Sequence, residues 1–333
     1  MDVCIIAEAG VNHNGSLQMA KEMALAAKNA GADYVKYQTA VPELVISRYA
    51  PKAGYQKVST GEAESQLEMV KKLHFGFEEH CQLKQYCDSI GIGYLSSAFD
   101  LPSVDFLASL HMDLFKIPSG EITNLPYLEK IAALQCPVVL STGMSEMEEI
   151  GQAVEILQKG GAKSLVLLHC NTEYPTPYKD ANLKAMTALQ QAFNLPVGLS
   201  DHTPGWECDV AAVALGAVVI EKHFTLDKAL PGPDQQASLD VAELTAMVSA
   251  VRNTQLALGS GVKQVSNSER RNRGIARKSI VAARAIAKGE AFTADNLAVK
   301  RPAGGISPMD WYKVLGQTAQ QDFAVDEPIQ ANI

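Results

Sequence analysis

A chain of 333 residues, 47% of them hydrophobic and 20% charged, is long enough to bury a large core and to hold one big domain with a small companion. A formal net charge of -8 with no basic block argues against nucleic acid as the main partner, and no run approaches the roughly 18–20 apolar residues of a membrane span. The N-terminal stretch lacks a basic region followed by a long apolar one, and the six cysteines are scattered with no C-x-x-C pair, so a reduced cytoplasm and no zinc framework are expected.

In chain order, the apolar run 3–7 ends in Glu8 and a turn containing His13 and Gly15, and a helical segment over 17–30 stops at Gly31. The run at 34–35 leads into Lys36, Tyr37 and Gln38. A long excursion, 42–73, of the kind that is a lid or substrate loop or else disordered, precedes an amphipathic stretch at 77–90. The run 93–95 ends in Ser96-Ser97, and a helix is expected over 102–110. Residues 114–117 carry Lys116 into Pro118-Ser119-Gly120-Glu121. Residues 137–140 end in Ser141-Thr142-Gly143, with Ser145 the expected cap of a helix reaching about Lys159. The run 165–168 ends in His169-Cys170-Asn171-Thr172, and 182–193 reads as helix.

The stretch 196–225 reads strand, turn, helix, strand. Its first run ends in Ser200-Asp201-His202-Thr203 and its second in Glu221-Lys222-His223. Parallel strands joined through helices bury both faces, so their runs are apolar and their chemistry gathers at the carboxyl ends. Residues two apart on a strand share a side, which groups Ser200 with His202 and Glu221 with His223. On neighbouring strands the two imidazoles could meet and take a divalent metal; two satisfied histidines are the alternative.

Eight strand-helix units in about 255 residues, closed by a helix at 241–258, predict a (β/α)8 barrel over 1–259. A doubly wound sheet is disfavoured because no G-x-G-x-x-G follows the first strand. Residues 260–277 are polar and basic without apolar periodicity and read as a linker. Residues 278–333, with short β-like pieces and a Lys-Gly-Glu turn, read as a small appended β-rich domain with little core of its own.

Collected on one face, the strand ends offer Glu8, Lys36, Gln38, Ser97, Lys116, Ser119, Glu121, Ser141, Asn171, Ser200, His202 and His223. Two lysines among hydroxyls and glycine-rich turns suit phosphate and carboxylate. Glu8 and Glu121 are candidate acid/base groups. A serine alone is equally a helix cap, and either lysine could instead be a Schiff-base nucleophile.

The segments AEAGVNHNGS (7–16), VKYQT (35–39), FKIPSGEITN (115–124), STGM (141–144), LHCNTEYPTP (168–177), GLSDHT (198–203), EKHFT (221–225), LPGPD (230–234) and VKRPAGGISP (299–308) together resemble the sialic acid synthases. These enzymes condense phosphoenolpyruvate with an N-acylated hexosamine to a nine-carbon nonulosonate, and the resemblance spans essentially the whole chain. It implies that 278–333 is an antifreeze-protein-like (SAF) domain. It also implies that His202 and His223 bind manganese or magnesium, and that Lys36, Ser97, Lys116, Ser119, Ser141, Asn171 and Ser200 hold phosphoenolpyruvate. Glu8 would be the catalytic carboxylate. Gln38, Glu121, Tyr174 and Asp234 would contact the sugar, with Arg301 supplied from the partner of a domain-swapped homodimer. Asn171 and Thr172 stand exchanged relative to the common family order, so either could face phosphoenolpyruvate. The HCNTEYPTP and KIPSGE variants look more like the branch that makes N,N′-diacetyllegionaminate from 2,4-diacetamido-2,4,6-trideoxymannose than like the N-acetylneuraminate branch, with pseudaminate more distant. A Schiff-base aldolase acting through Lys116 and a non-catalytic sugar-binding protein are the remaining alternatives.

Overall fold

The computed structural model describes residues 2–47, 49–51 and 65–331, and divides into two compact units, Met1–Gly259 and Ser260–Ile333. The first is the expected barrel. Its strands are β1 (Cys4–Gly10), β2 (Tyr34–Thr39), β3 (Gly93–Ala98), β4 (Phe115–Ile117), β5 (Pro137–Ser141), β6 (Ser164–Cys170), β7 (Val197–Asp201) and β8 (Val219–His223). They form one parallel sheet in the order β3-β2-β1-β8-β7-β6-β5-β4, and its two end strands lie against each other without a ladder among the described residues. Every residue of β7 and β8 is buried, as expected of parallel strands covered on both faces.

The strand register decides which charges become neighbours. Glu8 on β1 stands opposite Lys36 on one side and His223 on the other. Gln38 pairs with Ser97, Cys170 with Ser200, and Ser200 with Glu221. The carboxyl-end residues are thus set side by side before any side chain is considered.

The helices follow local signals. Helix α1 (Leu17–Ala30) starts at Ser16, whose hydroxyl accepts from the Met19 amide, and ends at left-handed Gly31. Within the excursion, α2 (Pro42–Val45) and α3 (Gln66–Leu73) are formed, while residues 52–64 lie outside the described residues. Ser65 and Glu68 make a reciprocal capping box at the head of α3. The cap expected at Ser145 belongs instead to Glu146, which forms a box with Glu149 ahead of the helix Met147–Gly160. Among the described residues no helix is long and apolar enough to cross a membrane.

In the second unit, β9 (Ser279–Ala282) and β10 (Leu297–Lys300) pair antiparallel, and single bridges such as Ile286 to Phe323 extend the β character. Two expectations are corrected here. The unit has its own core, with Ile280, Phe292, Val314 and Phe323 buried together. The stretch read as linker contains a helix, Asn267–Ala276, started by a Ser266–Glu269 capping box. None of its residues is buried, so it carries no apolar periodicity for sequence reading to detect.

One close contact ties α3 to the barrel. Gly15 sits at φ +74°, and a β-carbon there would lie 2.6 Å from the Lys72 carbonyl oxygen; nearby, His13 stacks on Phe75 with ring centroids 4.0 Å apart. Gly15→Ala must both adopt a left-handed conformation and displace the end of α3. The expected result is a loss of roughly 1–3 kcal/mol, read as a drop in Tm by calorimetry; an unchanged Tm would show that α3 is not held against Gly15.

Candidate active site

The carboxyl ends of the strands surround a cavity of about 400 Å³. At its floor four fully buried charges meet. Lys36 Nζ lies 2.7 Å from Glu8 Oε2 and 3.7 Å from Glu221 Oε2, and donates to Ser97 Oγ at 3.2 Å. Lys116 Nζ donates to Ser141 Oγ at 2.8 Å and lies 3.4 Å from Glu221 Oε1. Glu221 also accepts from Ser200 Oγ at 3.0 Å. Ser97, Ser141 and Ser200 are therefore partners of buried charges rather than helix caps. Ser119 lies beside them and accepts from the Gly143 amide at 2.9 Å.

Burial shifts these groups apart. Desolvation pushes the Glu8 carboxyl up to about 7, with the opposing pull of Lys36 insufficient to keep it low. Glu221 is desolvated as well, but Lys116 and Lys36 together hold it down at about 2. Desolvation lowers Lys116; it acts on Lys36 too, where the charges of Glu221 and Glu8 outweigh it and leave the ammonium raised. The floor accordingly offers one firmly ionised carboxylate, one carboxyl poised near neutrality and two cations. Isolated charges could not be buried this deeply, because the penalty is met only by mutual pairing and hydrogen bonding.

Beside this floor the two imidazoles come together, with ring centroids 5.2 Å apart. His202 directs Nδ1 at the Asn171 carbonyl, an arrangement that orients the ring and frees Nε2 for a ligand. His223 Nδ1 is buried without a hydrogen-bond partner among the described residues. Burial, followed by the proximity of His202, pushes His223 well below the usual imidazole range, so it is neutral. A neutral ring with an orphaned nitrogen beside a carbonyl-oriented ring fits a divalent cation. Among the described residues no group of three or more His, Cys, Asp or Glu gathers for a metal. Two imidazoles would leave several coordination positions to water and substrate.

Of the residues singled out in the sequence, Glu8, Lys36, Gln38, Ser97, Lys116, Ser119, Ser141, Tyr174, Ser200, His202, His223 and Asp234 all line this cavity. Tyr174 packs over His202 at 4.1 Å between centroids. Asp234 is buried, and desolvation raises its carboxyl to about 6. Three residues lie elsewhere. The Asn171 side chain is absent from the lining because its loop uses it: Oδ1 accepts from the Glu173 amide at 2.9 Å and the Thr176 hydroxyl at 3.2 Å. Thr172 lines the cavity in its place. Glu121 accepts from the Asn124 amide at 2.6 Å, outside the lining. Arg301 belongs to the second unit, where its Nε donates to the Ala276 carbonyl at 3.0 Å.

Sequence reading missed Glu221 as a site residue, although its i, i+2 relation to His223 was visible and points it to the same side. It also missed Met69, Val70, Leu73 and His74, which bring one end of α3 to the cavity wall. Nothing within 66–74 signals that placement, which depends on the contact with Gly15.

Residues 23–263 match the NeuB family and residues 277–332 match the SAF domain. An N,N'-diacetyllegionaminic acid synthase of Campylobacter jejuni is 51% identical over 328 residues, covering 98% of both chains. The enzyme of the same name from Legionella pneumophila is 45% identical over 97% of this chain and 92% of its own. A solved N-acetylneuraminic acid (sialic acid) synthetase from Leptospira borgpetersenii superposes with a TM-score of 0.71 at 34% identity, covering 82% of this chain and 90% of that one. With a matching barrel and a matching C-terminal domain over nearly its full length, the chain belongs to the NeuB family of sialic (nonulosonic) acid synthases.

Proposed function

We propose that this enzyme condenses phosphoenolpyruvate with 2,4-diacetamido-2,4,6-trideoxymannose to give N,N'-diacetyllegionaminate and phosphate. The observation that carries the chemistry is the buried cradle of Lys36 and Lys116, sharing one cavity with the histidine pair. The choice of sugar is supported by the 51% identity to the Campylobacter jejuni enzyme.

Phosphoenolpyruvate carries a phosphate and a carboxylate, and the two buried ammonium groups match that pair of anions. Ser97, Ser141 and Thr172 add hydroxyls, and Thr172 replaces Asn171 in this role. Glu221, ionised and anchored by Ser200, holds the two lysines at a set separation. His202 and His223 would hold Mn2+ or Mg2+, which when bound supplies Lewis-acid polarisation of the sugar aldehyde. Tyr174, Gln38 and Asp234 orient the acceptor so that C3 of the enol phosphate reaches the aldehyde carbon, whose oxygen takes up a proton. Positive charge then develops at C2 and water adds there. Glu8 accepts one proton of that water, balancing the proton taken up by the aldehyde oxygen, and the C2 hydroxyl left behind becomes the ketone as its own proton and the phosphate depart with cleavage of the C–O bond. A carboxyl poised near neutrality suits this task, since it is ionised at working pH yet basic enough to take a proton.

Lys116, with its lowered pKa, also meets one requirement of a Schiff-base nucleophile. Its neighbours are arranged for anion binding, and relatives matching over nearly the whole chain are named as synthases. The test is phosphate release from phosphoenolpyruvate with each of two acceptors. The diacetamido sugar is expected to give the higher kcat/KM, by about tenfold or more over N-acetylmannosamine, with activity lost on chelation and restored by Mn2+. A tenfold preference for N-acetylmannosamine would reverse the assignment of substrate.

A further inference from the structure

The cavity is polar at its floor and over the histidine pair, but one wall is not. Met69, Val70 and Leu73 of α3 line the cavity there, and Phe99, just after β3, adds a further apolar lining group. Met69 is buried, while Val70 and Leu73 are half-buried at the cavity edge. His74 closes the wall as the residue following α3, its Nδ1 3.1 Å from the Val70 carbonyl. Burial lowers the pKa of this ring. A neutral imidazole facing a carbonyl keeps its proton on Nδ1, which makes Nε2 an acceptor. The position of the wall is fixed rather than incidental, because Gly15 and the His13–Phe75 stack hold the end of α3 in place.

Resting on the function proposed above, we infer that this wall determines acceptor choice: it takes the end of the sugar remote from the aldehyde and favours a 6-deoxy, 4-acylamino sugar over a fully hydroxylated one. Three apolar side chains on α3 and a phenyl ring offer no hydrogen bond to a sugar hydroxyl. A C6 hydroxyl placed there loses its water without compensation, whereas a C6 methyl or the methyl of a 4-acetamido group gains apolar contact. His74 adds an acceptor of the kind that the N–H of an acylamino group requires, and a sugar hydroxyl can use it less selectively. Recognition is thereby divided. The lysine floor reads the enol phosphate, which every acceptor shares, and α3 reads the part in which acceptors differ.

The experiment uses the full chain with Val70→Thr, which preserves shape and adds a hydroxyl, and Leu73→Ser, which removes apolar surface at a second point. Phosphate release is measured with 2,4-diacetamido-2,4,6-trideoxymannose and with N-acetylmannosamine, alongside Tm. The ratio of the two kcat/KM values is expected to move toward N-acetylmannosamine by about tenfold in each variant, while KM for phosphoenolpyruvate stays at the wild-type value. A merely structural role would lower both activities together and leave the ratio unchanged. If both folded variants keep the wild-type ratio, the wall is overturned while the proposed reaction stands. If the wild type releases phosphate with neither sugar, the proposed reaction fails and the wall with it.

Discussion

His223→Ala is expected to reduce kcat/KM by about three orders of magnitude, since a Lewis acid contributes several kcal/mol to charge developing on a carbonyl oxygen. The variant removes one of the two imidazoles, including the buried Nδ1 that has no hydrogen-bond partner among the described residues. Loss of that ligand predicts loss of Mn2+ binding by calorimetric titration in the same protein. Phosphoenolpyruvate binding should persist, because Lys36, Lys116 and Glu221 are untouched. That separation distinguishes a missing metal ligand from a collapsed site, which would lose both. His223 packs beside His202 and Tyr174, so its truncation leaves a small void that a Tm measurement would register independently. A variant with wild-type turnover, or a wild type indifferent to chelator, would remove the metal from the proposal.

Glu8→Gln is expected to lower kcat by about 10²- to 10⁴-fold, the usual contribution of a positioned general base. The substitution keeps the shape and the neighbour Lys36 but cannot take a proton. Its signature lies in the pH profile. Glu8 is lifted to about 7 by burial, so in the wild type the active, ionised form is lost as pH falls below that value. Wild-type kcat/KM, which reports groups of the free enzyme, should therefore rise with pH through about 7 and level off above it. The residual rate of the glutamine variant should show no such rise. Glu221, held at about 2, stays ionised across the same range and cannot produce that limb. A glutamine variant that retained the rising limb would assign the base elsewhere.

Much of the site was legible in one dimension because a parallel barrel is forgiving to read. Each strand is a short buried run, and the polar residues that close it must sit at the carboxyl end. Lys36, Lys116, Ser97, Ser141 and the histidine pair were accessible to that rule. Glu221 obeyed it too and was overlooked. The choice between Asn171 and Thr172 stayed open for a different reason. Whether Asn171 or Thr172 faces the cavity depends on which side chain the following loop consumes, and that loop turns back on Asn171 through Glu173 and Thr176. The helix at Asn267–Ala276 escaped detection because an exposed helix carries no apolar stripe.

The amino-acid order alone therefore determined the barrel, the face on which its chemistry gathers and the residue types available there, since each follows from local alternation of apolar runs and polar strand ends. Tertiary structure decided how those residues divide their work. Strand register placed Glu8 between Lys36 and His223, and shared burial then split two chemically identical carboxyls into one strong acid and one group near neutrality. The same holds for α3, brought to the cavity by a contact with Gly15 more than fifty residues away in sequence. Desolvation and long-range packing depend on distances between segments far apart in the chain, and no local pattern records them.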